Sequence, residues 1–198
     1  MATYPDLFNR AAENPLSGGP GWTTAPGLSA MQVNGSNQCI PTLNVDSGSR
    51  ITSTSGTDTY AECKVPTGGN NGPMLRCKTS GAVKGGVVLA CASGNVIAYR
   101  MDSGAYTNIW SNGFTFTSSD VIRLAVVGTT FTVSKNGSAQ GTTFTETAYS
   151  GELGFGLWCY NGTQGVLDDF DGSDGAAAGG AGKVIPEAMA LQPMTGLY

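Results

Sequence analysis

The chain has 198 residues, of which 12% are charged, and its net charge of −4 comes from 14 acidic and 10 basic residues. Binding to a phosphate backbone needs a concentrated patch of Lys and Arg, so these scattered basic residues argue against a nucleic-acid partner. The sequence contains no His. This excludes a Ser–His–Asp triad, a Cys–His dyad and any His-ligated metal site.

The N-terminal region is predicted to be irregular. The opening MATYPDLFNR has no basic segment followed by an apolar run, so we expect no secretory signal. Pro and Gly are dense in the next stretch, AAENPLSGGPGWTTAPG, which indicates a loop with one aromatic anchor, Trp22. No segment approaches about 18 consecutive apolar residues, so no membrane span and no membrane partner are expected.

Strand-like segments then follow one another closely. No window keeps a helical periodicity, and Gly, Asn and Asp separate the segments at short intervals. Many short, mostly antiparallel strands of this kind predict an all-β sandwich or a barrel. The predicted strands are 29–34, 49–54, 58–66, 72–79, 85–92, 95–101, 105–110, 113–117, 120–127, 130–135, 141–145, 151–160 and 164–171.

The stretch FTVSKNGSAQGTTFT, residues 131–145, predicts a strand, a turn and a second strand. Asn-Gly suits a type I′ turn because both of its central residues need a positive φ. We therefore interpret Asn136-Gly137 as the scaffold turn of a hairpin and not as part of a binding surface. The apolar face predicted for this strand and the one before it consists of Ile122, Leu124, Val126, Phe131 and Val133.

The segment GELGFGLWCY, residues 151–160, predicts a strand with two different faces. Its apolar face holds Leu, Phe and Cys side chains, and the opposite face carries Gly154 and Gly156 beside Trp158 and Tyr160. The two glycines leave room for the close approach of a neighbouring strand or of a ligand. Packing by the domain itself is the more common use of such room.

The five cysteines do not form a recognisable metal or redox motif. Their number is odd and no CxxC spacing occurs, so neither a zinc ribbon nor a redox pair is supported. Four of them lie in strand-like runs among apolar neighbours, where a free Cys behaves as a small hydrophobe. We predict buried free thiols, with one or two disulfides as the alternative. The residues are Cys39, Cys63, Cys77, Cys91 and Cys159.

The composition changes after residue 172. GSDGAAAGGAGK has the composition of a flexible linker, and VIPEAMALQPMTGLY is an apolar tail with few charges. We therefore divide the chain into a domain of residues 1–172 and a linker with a docking tail, 173–198. The tail has no local core, so we expect it to dock on its own domain or, preferably, on another chain. The predicted docking residues are Val184, Ile185, Pro186, Leu191, Pro193, Leu197 and Tyr198.

Several sequence motifs occur in an order that is typical of one known fold. They are DLFNRA followed by GW, then AYRMDSGAY, DVIRLAVVGTTFTVSKNG, GELGFGLW and a closing LDDFDG, spread over residues 6–172. Together they resemble the concanavalin A-like lectin/glucanase (laminin G-like) jelly roll, in the version found in tailed-phage virion proteins. The resemblance implies an antiparallel β-sandwich whose first and last strands are neighbours, which would bring Phe8 close to Phe170.

The same resemblance raises the question of catalysis. Members of this superfamily that cleave glycans carry two carboxylates on one strand, spaced as E-x-D-x-x-E, and this sequence has no such motif. A pair that meets only in space, such as Glu62 with Glu152, stays open as an alternative. We predict that the protein is not an enzyme and that it uses no cofactor.

The acidic stretch DDFDGSD contains the only candidate metal ligands. Asp169, Asp171 and Asp174 supply oxygen ligands of the type that Ca²⁺ takes. Their spacing departs from an EF-hand loop, and no bidentate Glu follows at its twelfth position. We therefore favour a solvated acidic turn at the end of the closing strand, and predict no metal site.

Aromatic residues on the predicted strands support a carbohydrate-binding hypothesis, because aromatic rings stack on the faces of sugars. Tyr99, Tyr106, Trp110, Trp158 and Tyr160 all lie on predicted strands. For each of them, filling the core between the sheets is the competing interpretation. Trp158 and Tyr160 are the best candidates because the glycines share their face. The predicted glycan-binding residues are Trp158, Tyr160, Trp110 and Tyr99.

The resemblance and the absent catalytic motifs together predict a non-enzymatic phage virion structural protein at the particle surface. A capsid decoration (cement) protein is the first choice, and a tail or fibre component is the second. The tail or the MATYPDLF arm would attach the jelly roll to a neighbouring chain, such as a major capsid or tail protein. Virion jelly rolls commonly form trimers, so the resemblance also implies a homo-oligomer. The alternative is a carbohydrate-binding, lectin-like module, which a virion protein touching host glycans would combine with the first role.

Overall fold

The computed structural model describes residues 2–53, 56–67, 69–92, 94–161 and 165–175. The regular structure of this part is all β, and it contains no helix with the length and apolarity needed to span a membrane. The predicted docking residues Val184, Ile185, Pro186, Leu191, Pro193, Leu197 and Tyr198 lie outside the described residues.

Fifteen strands can be assigned within the described residues, and they form two antiparallel sheets. In chain order they are β1 (Thr23–Thr24), β2 (Met31–Val33), β3 (Cys39–Pro41), β4 (Ser47–Thr52), β5 (Thr59–Thr67), β6 (Asn71–Cys77), β7 (Gly85–Ala92), β8 (Asn95–Asp102), β9 (Ala105–Asn112), β10 (Val121–Val127), β11 (Thr130–Lys135), β12 (Ser138–Ala139), β13 (Phe144–Thr145), β14 (Gly154–Cys159) and β15 (Val166–Ser173).

The two sheets pack face to face as a β-sandwich. The seven-stranded sheet has the order β1-β4-β14-β6-β7-β8-β9. The eight-stranded sheet has the order β12-β11-β10-β5-β15-β3-β2, with β13 paired to β11. Many neighbours in each sheet are distant in sequence, as in a jelly roll. The predicted all-β antiparallel sandwich is confirmed.

The main core lies between the sheets and contains the predicted apolar faces. Phe155 and Leu157 of β14 meet Leu124 of β10 and Phe131 of β11 in one continuous cluster of buried side chains. These residues alternate with outward-facing ones because successive strand side chains point to opposite faces. Burying such surface contributes roughly 25 cal/mol per Å². The predicted faces of β10, β11 and β14 are therefore confirmed.

The hairpin at Asn136-Gly137 has the predicted form. Ser134 pairs with Ala139 and Lys135 with Ser138, so Asn136 and Gly137 alone form the turn. Both have a positive φ, 50° at Asn136 and 80° at Gly137, as a type I′ turn requires. The turn closes a hairpin at the edge of the eight-stranded sheet, as predicted, and its purely scaffold role stays a prediction.

The strand predictions include one segment that is not a strand and miss three short strands, β1, β3 and β12. The predicted strand 113–117 is irregular, because Phe114 and Phe116 pack against the core without a ladder partner. Conversely, 39–41 forms β3, which pairs with β2 and, at Cys39, with β15. Three residues that include a Pro carry no alternation that the sequence could have revealed.

The two ends of the domain lie side by side. Asp6 and Phe170 exchange two backbone hydrogen bonds of 2.8 and 2.9 Å. The Trp22 ring lies 4.7 Å from Phe170 and 6.3 Å from Phe8, centroid to centroid, so the predicted closeness of these two Phe residues is confirmed. The backbone N–H of Ala2 also donates to Asp174 over 2.6 Å. The N-terminal arm is thus bound within its own domain.

All five cysteines are buried and free. Burial raises the pKa of each thiol, that of Cys77 to about 12. Such thiols remain protonated and behave as small apolar side chains. The prediction of buried free thiols is confirmed, and the disulfide alternative is wrong.

Candidate functional site

The outward face of the seven-stranded sheet carries a second apolar cluster. Met74 of β6, Val88 of β7, Met101 of β8 and Trp158 of β14 are all buried there. Sequence neighbours of three of them, Leu75, Val87 and Leu157, point the other way, into the main core. Leu28, from the loop after β1, packs against this second cluster. One outward sheet face is therefore largely apolar and partly covered, where a solvated polar face would be ordinary.

A cavity of about 230 Å³ opens onto this cluster, and we call it the aromatic pocket. Its walls come from the strands β7, β8, β9 and β14 and from the loops that adjoin β6 and β14. Three tyrosines and one tryptophan supply most of the lining. The lining residues are Asn70, Ala90, Tyr99, Tyr106, Trp158 and Tyr160.

Tyr106 is the centre of the aromatic pocket. Its ring centroid lies 6.1 Å from Tyr99, 5.4 Å from Tyr160 and 5.6 Å from Trp158. The planes of the first two pairs cross at 85° and 89°, the edge-to-face arrangement that aromatic rings favour. Trp158 is 1% exposed and Tyr160 is 42% exposed. Trp158 therefore forms the floor, and the tyrosines present the accessible surface.

The indole N–H of Trp158 is a buried donor without a partner. It lies close enough to the Tyr106 hydroxyl to lower that hydroxyl's pKa, yet it forms no hydrogen bond within the described part of the chain. Leaving a buried donor unpaired costs about 1–3 kcal/mol. The floor of the aromatic pocket thus holds a donor that a ligand oxygen could satisfy.

A second cavity of about 460 Å³ adjoins the first, and we call it the polar pocket. Asp46 dominates it. Its Oδ1 accepts the backbone N–H of Asn161 over 2.9 Å, while its Oδ2 accepts the Tyr106 hydroxyl over 2.6 Å and an ion-paired hydrogen bond from Lys84. The lining residues are Gly27, Leu28, Ser29, Val45, Asp46, Lys84 and Asn161.

These contacts fix the charge states at the junction of the two pockets. Burial alone would raise the pKa of Asp46, but hydrogen bonds from Lys84, Tyr106 and Asn161 outweigh it and hold the pKa below its usual range. Burial and the bond to Asp46 raise the pKa of Tyr106 well above its usual range. Tyr106 is therefore a protonated donor and Asp46 an ionised acceptor. We call the two adjoining pockets the groove.

The structure brings three of the four predicted glycan-binding residues together. Trp158, Tyr160 and Tyr99 all line the aromatic pocket. Trp110 does not, because it points into the main core, stacks on Phe144 at 5.8 Å and donates its indole N–H to a backbone carbonyl. For Trp110 the competing interpretation, filling the core, is the one the structure gives.

Sequence reasoning missed the remaining groove residues for identifiable reasons. A bulge in the β8–β9 pairing lets Tyr106 face outward while Trp110, four positions later, faces the core. A regular strand would place both on one face. Asp46 and Lys84 are 38 positions apart, and no local pattern relates them.

The predicted acidic candidates do not converge. Asp169 forms an ion pair with Lys64 at 2.6 Å, Asp171 accepts the Tyr60 hydroxyl and Asp174 accepts a backbone N–H from the N-terminal arm. Register shifts in the β15–β5 pairing separate these side chains. No group of three or more acidic or Cys residues in the described ranges could hold a metal ion.

The carboxylate pair considered for catalysis is not formed either. Glu62 accepts Arg123 on the eight-stranded sheet over 2.6 Å. Glu152 accepts the backbone N–H of Thr79 over 3.1 Å, near the seven-stranded sheet. Glu62 lies on β5 of the eight-stranded sheet and Glu152 in the loop before β14 of the other sheet, and each is engaged by a different partner.

No protein-family model and no curated protein matches the sequence. Solved structures do match it. The carbohydrate-binding module CBM66 from Bacillus subtilis aligns with a TM-score of 0.55 at 17% identity, covering 79% of this chain and 93% of that one. The fold is the concanavalin A-like jelly roll.

Two further jelly rolls show the same likeness. A prokaryotic β-1,3-1,4-glucanase (lichenase) from a mouse hindgut metagenome aligns with a TM-score of 0.54 at 10% identity, covering 89% of this chain and all of that one. The carbohydrate recognition domain of Emp46p, in its metal-free form, aligns with a TM-score of 0.53 at 14% identity, covering 88% of this chain and 97% of that one. Identities this low establish the fold alone, so the fold named from the sequence motifs is confirmed and the phage setting stays a prediction.

Proposed function

We propose that this protein binds carbohydrate in the groove on the outward face of its seven-stranded sheet. The observation that carries the proposal is the aromatic pocket, where Tyr99, Tyr106 and Tyr160 gather over the buried floor of Trp158. Aromatic rings cover the C–H faces of sugars, and a few well-placed polar groups fix the orientation of a ligand. Asp46 supplies such a group at the adjoining end.

The likeness to solved structures gives this proposal independent support. Two of the three proteins described above are, by name, a carbohydrate-binding module and a carbohydrate recognition domain. The third is a glucanase, so the jelly roll serves both binding and hydrolysis. The fold therefore does not distinguish carbohydrate binding from hydrolysis, and the residues of the groove have to do so.

The carboxylates of the groove favour binding without cleavage. Glycoside hydrolysis ordinarily uses two carboxyl groups, either about 5–5.5 Å or about 6.5–9.5 Å apart. Among the described residues that line the groove, Asp46 is the only acidic one. Three donors already engage it, from Lys84, Tyr106 and Asn161. We therefore propose a non-enzymatic binding module.

A glycan array with the full chain and two matched variants tests the proposal. Tyr160 is 42% exposed in the aromatic pocket, and Val127, on the eight-stranded sheet, is 44% exposed. We expect Tyr160→Ala to lose about tenfold in affinity for the bound glycans, which corresponds to about 1.4 kcal/mol. Val127→Ala should bind as the wild type does. Absence of any glycan ligand, or equal binding by Tyr160→Ala, would contradict the proposal.

The virion role concerns where such a domain is displayed, and we propose it as a second function compatible with the first. Its support is the sequence resemblance and the apolar segment that follows the Gly/Ala-rich linker. Residues 2–8 are bound within the domain, and Ser173 and Asp174 are buried at the end of β15, which leaves residues 176–198 of the predicted tail as the attachment segment. A capsid decoration protein remains the first choice and a tail or fibre component the second.

Particle attachment tests the virion proposal separately. Deletion of residues 175–198 should abolish attachment to particles while thermal unfolding of the jelly roll remains cooperative. Full occupancy of the truncated protein on particles would remove the docking role. A gene position beside a major capsid protein gene would favour decoration, and a position beside tail genes would favour a fibre.

A further inference from the structure

On the basis of the proposed function, we propose that the groove selects neutral saccharides and that Asp46 excludes acidic ones. The inference concerns the chemical class of the ligand. It rests on the charges that line the groove and on their partners.

The groove carries one anion and one cation among its described lining residues. They are Asp46 and Lys84, which form an ion pair with each other. Their side chains are only 16% and 15% exposed. Because the pair is largely shielded, the two charges cancel within the groove, and its lining is close to neutral.

An acidic sugar would have to break this pair to gain a cation. A carboxylate that drew Lys84 away would leave Asp46 ionised and partly buried, next to a second negative charge. Removing one partner from a shielded ion pair is strongly destabilising, since the remaining charge is no longer compensated. A carboxylate that left the pair intact would lie near Asp46 with no free cation to meet it.

No Arg side chain is among the described residues that line the groove, so no guanidinium there can bind a carboxylate instead of Lys84. Carboxylates are best recognised by the bidentate fork of Arg. Arg50 donates to the carbonyl of Thr79, and Arg100 forms an ion pair with Glu146. Arg123 is held by Glu62 on the eight-stranded sheet. None of these three lines either pocket.

A neutral sugar finds suitable partners in the same place. Its hydroxyl groups can donate to Oδ1 of Asp46, which among the described residues accepts only the backbone N–H of Asn161, whereas Oδ2 already accepts both Tyr106 and Lys84. The side-chain amides of Asn70 and Asn161 stand at the two pockets and offer both donors and acceptors. The indole N–H of Trp158 is a further unpaired donor. Hydroxyl groups satisfy this set without an uncompensated charge.

Matched polysaccharide pairs test the inference with the full-length protein. β-1,4-Mannan with β-1,4-polymannuronan and β-1,4-glucan with β-1,4-polyglucuronan are pairs that share their linkage and differ at C6, where the uronan carries a carboxylate. We expect at least one neutral polymer to bind, with its uronan binding tenfold or more weakly. Binding of a uronan as tightly as its neutral counterpart would overturn the inference while the proposed function stood. Binding of no saccharide of either class would overturn both.

Two variants assign the selectivity to the ion pair. Asp46→Asn releases Lys84, so the ratio of uronan to neutral affinity should rise at least fivefold. Lys84→Met leaves Asp46 uncompensated, so the same ratio should fall. Asp58→Asn is the control, because it removes one negative charge beside β5, where Asp58 accepts a backbone N–H. A ratio that is the same in all four proteins would contradict the role of Asp46.

Discussion

The hydroxyl of Tyr106 donates to Oδ2 of Asp46 over 2.6 Å, and this bond joins the aromatic pocket to the polar pocket. Tyr106 also contacts the rings of Tyr99, Trp158 and Tyr160. A single side chain therefore positions both the rings and the carboxylate that we assign to ligand binding. The geometry of the whole groove depends on it.

Replacing Tyr106 with Phe tests that dependence. The ring and its contacts are kept, but the bond to Asp46 is lost. We expect glycan affinity to fall about tenfold, since hydrogen bonds to charged groups contribute about 1.5–3 kcal/mol. Tyr149→Phe is the matched control, because the Tyr149 hydroxyl donates to Asp102 over 2.9 Å at an exposed position. Equal affinities of the two variants, measured by calorimetry, would argue against the assigned role.

Asp46 should make stability dependent on pH in acid. Its folded-state pKa is lowered by its three donors, so its contribution is fully present above the unfolded pKa of about 4. The contribution is lost as the pH falls through the lower folded-state pKa. Asp46→Asn should therefore reduce the Tm at pH 7 and have a smaller effect at pH 2. A difference in Tm that is equal at both pH values would show that the charge of Asp46 does not matter.

Three tyrosines should resist ionisation in the folded protein: Tyr60, Tyr106 and Tyr149, the last with a pKa raised to about 12 by burial and by its bond to Asp102. Tyr60 and Tyr106 are the most strongly shifted. Burial raises the pKa of Tyr60, as do the charges of Asp171 and Glu62, and burial with the bond to Asp46 raises that of Tyr106. Both therefore stabilise the fold below pH 10, and this stabilisation is lost as the pH rises further. In an ultraviolet titration, both should ionise together with unfolding. Tyr106→Phe should leave two late residues, Tyr60 and Tyr149, and three late residues in that variant would contradict the assignment.

The turn at Gly137 should affect stability and not binding. Its φ of 80° is unfavourable for any residue with a Cβ, so Gly137→Val should cost about 1–2 kcal/mol. Gly35→Val is the control, because Gly35 lacks a positive φ and has open space around it. Denaturant unfolding measures the difference. A loss of glycan affinity in folded Gly137→Val would show that the turn belongs to the binding surface.

The fold could be predicted from the sequence where local signals coincide. In β10 and β11, strict alternation marks the buried face, and Asn-Gly specifies the turn that follows. The same dipeptide at 71–72 begins β6 instead, because pairing with β14 overrides its turn preference. The short β3 has no signal of its own and exists only through its neighbours.

The groove could be predicted only in part, for a related physical reason. Trp158 and Tyr160 share a face of one strand, so alternation alone pairs them. Tyr106 faces outward because of a bulge that changes the alternation in β9, and sequence patterns do not reveal such a bulge. Asp46 comes from a loop before β4, and only the tertiary structure brings it to Lys84.

The most direct test of the carbohydrate-binding groove uses the indole N–H signals of the three tryptophans in a nitrogen-15 NMR titration. Trp22 donates to Asp6 and Trp110 to the carbonyl of Thr142, both away from the groove, whereas the Trp158 N–H is unpaired at its floor. Addition of a saccharide identified on the array should shift the Trp158 signal and leave the other two unchanged. A saturating saccharide that leaves the Trp158 signal in place, or that shifts Trp22 or Trp110 instead, would contradict the account.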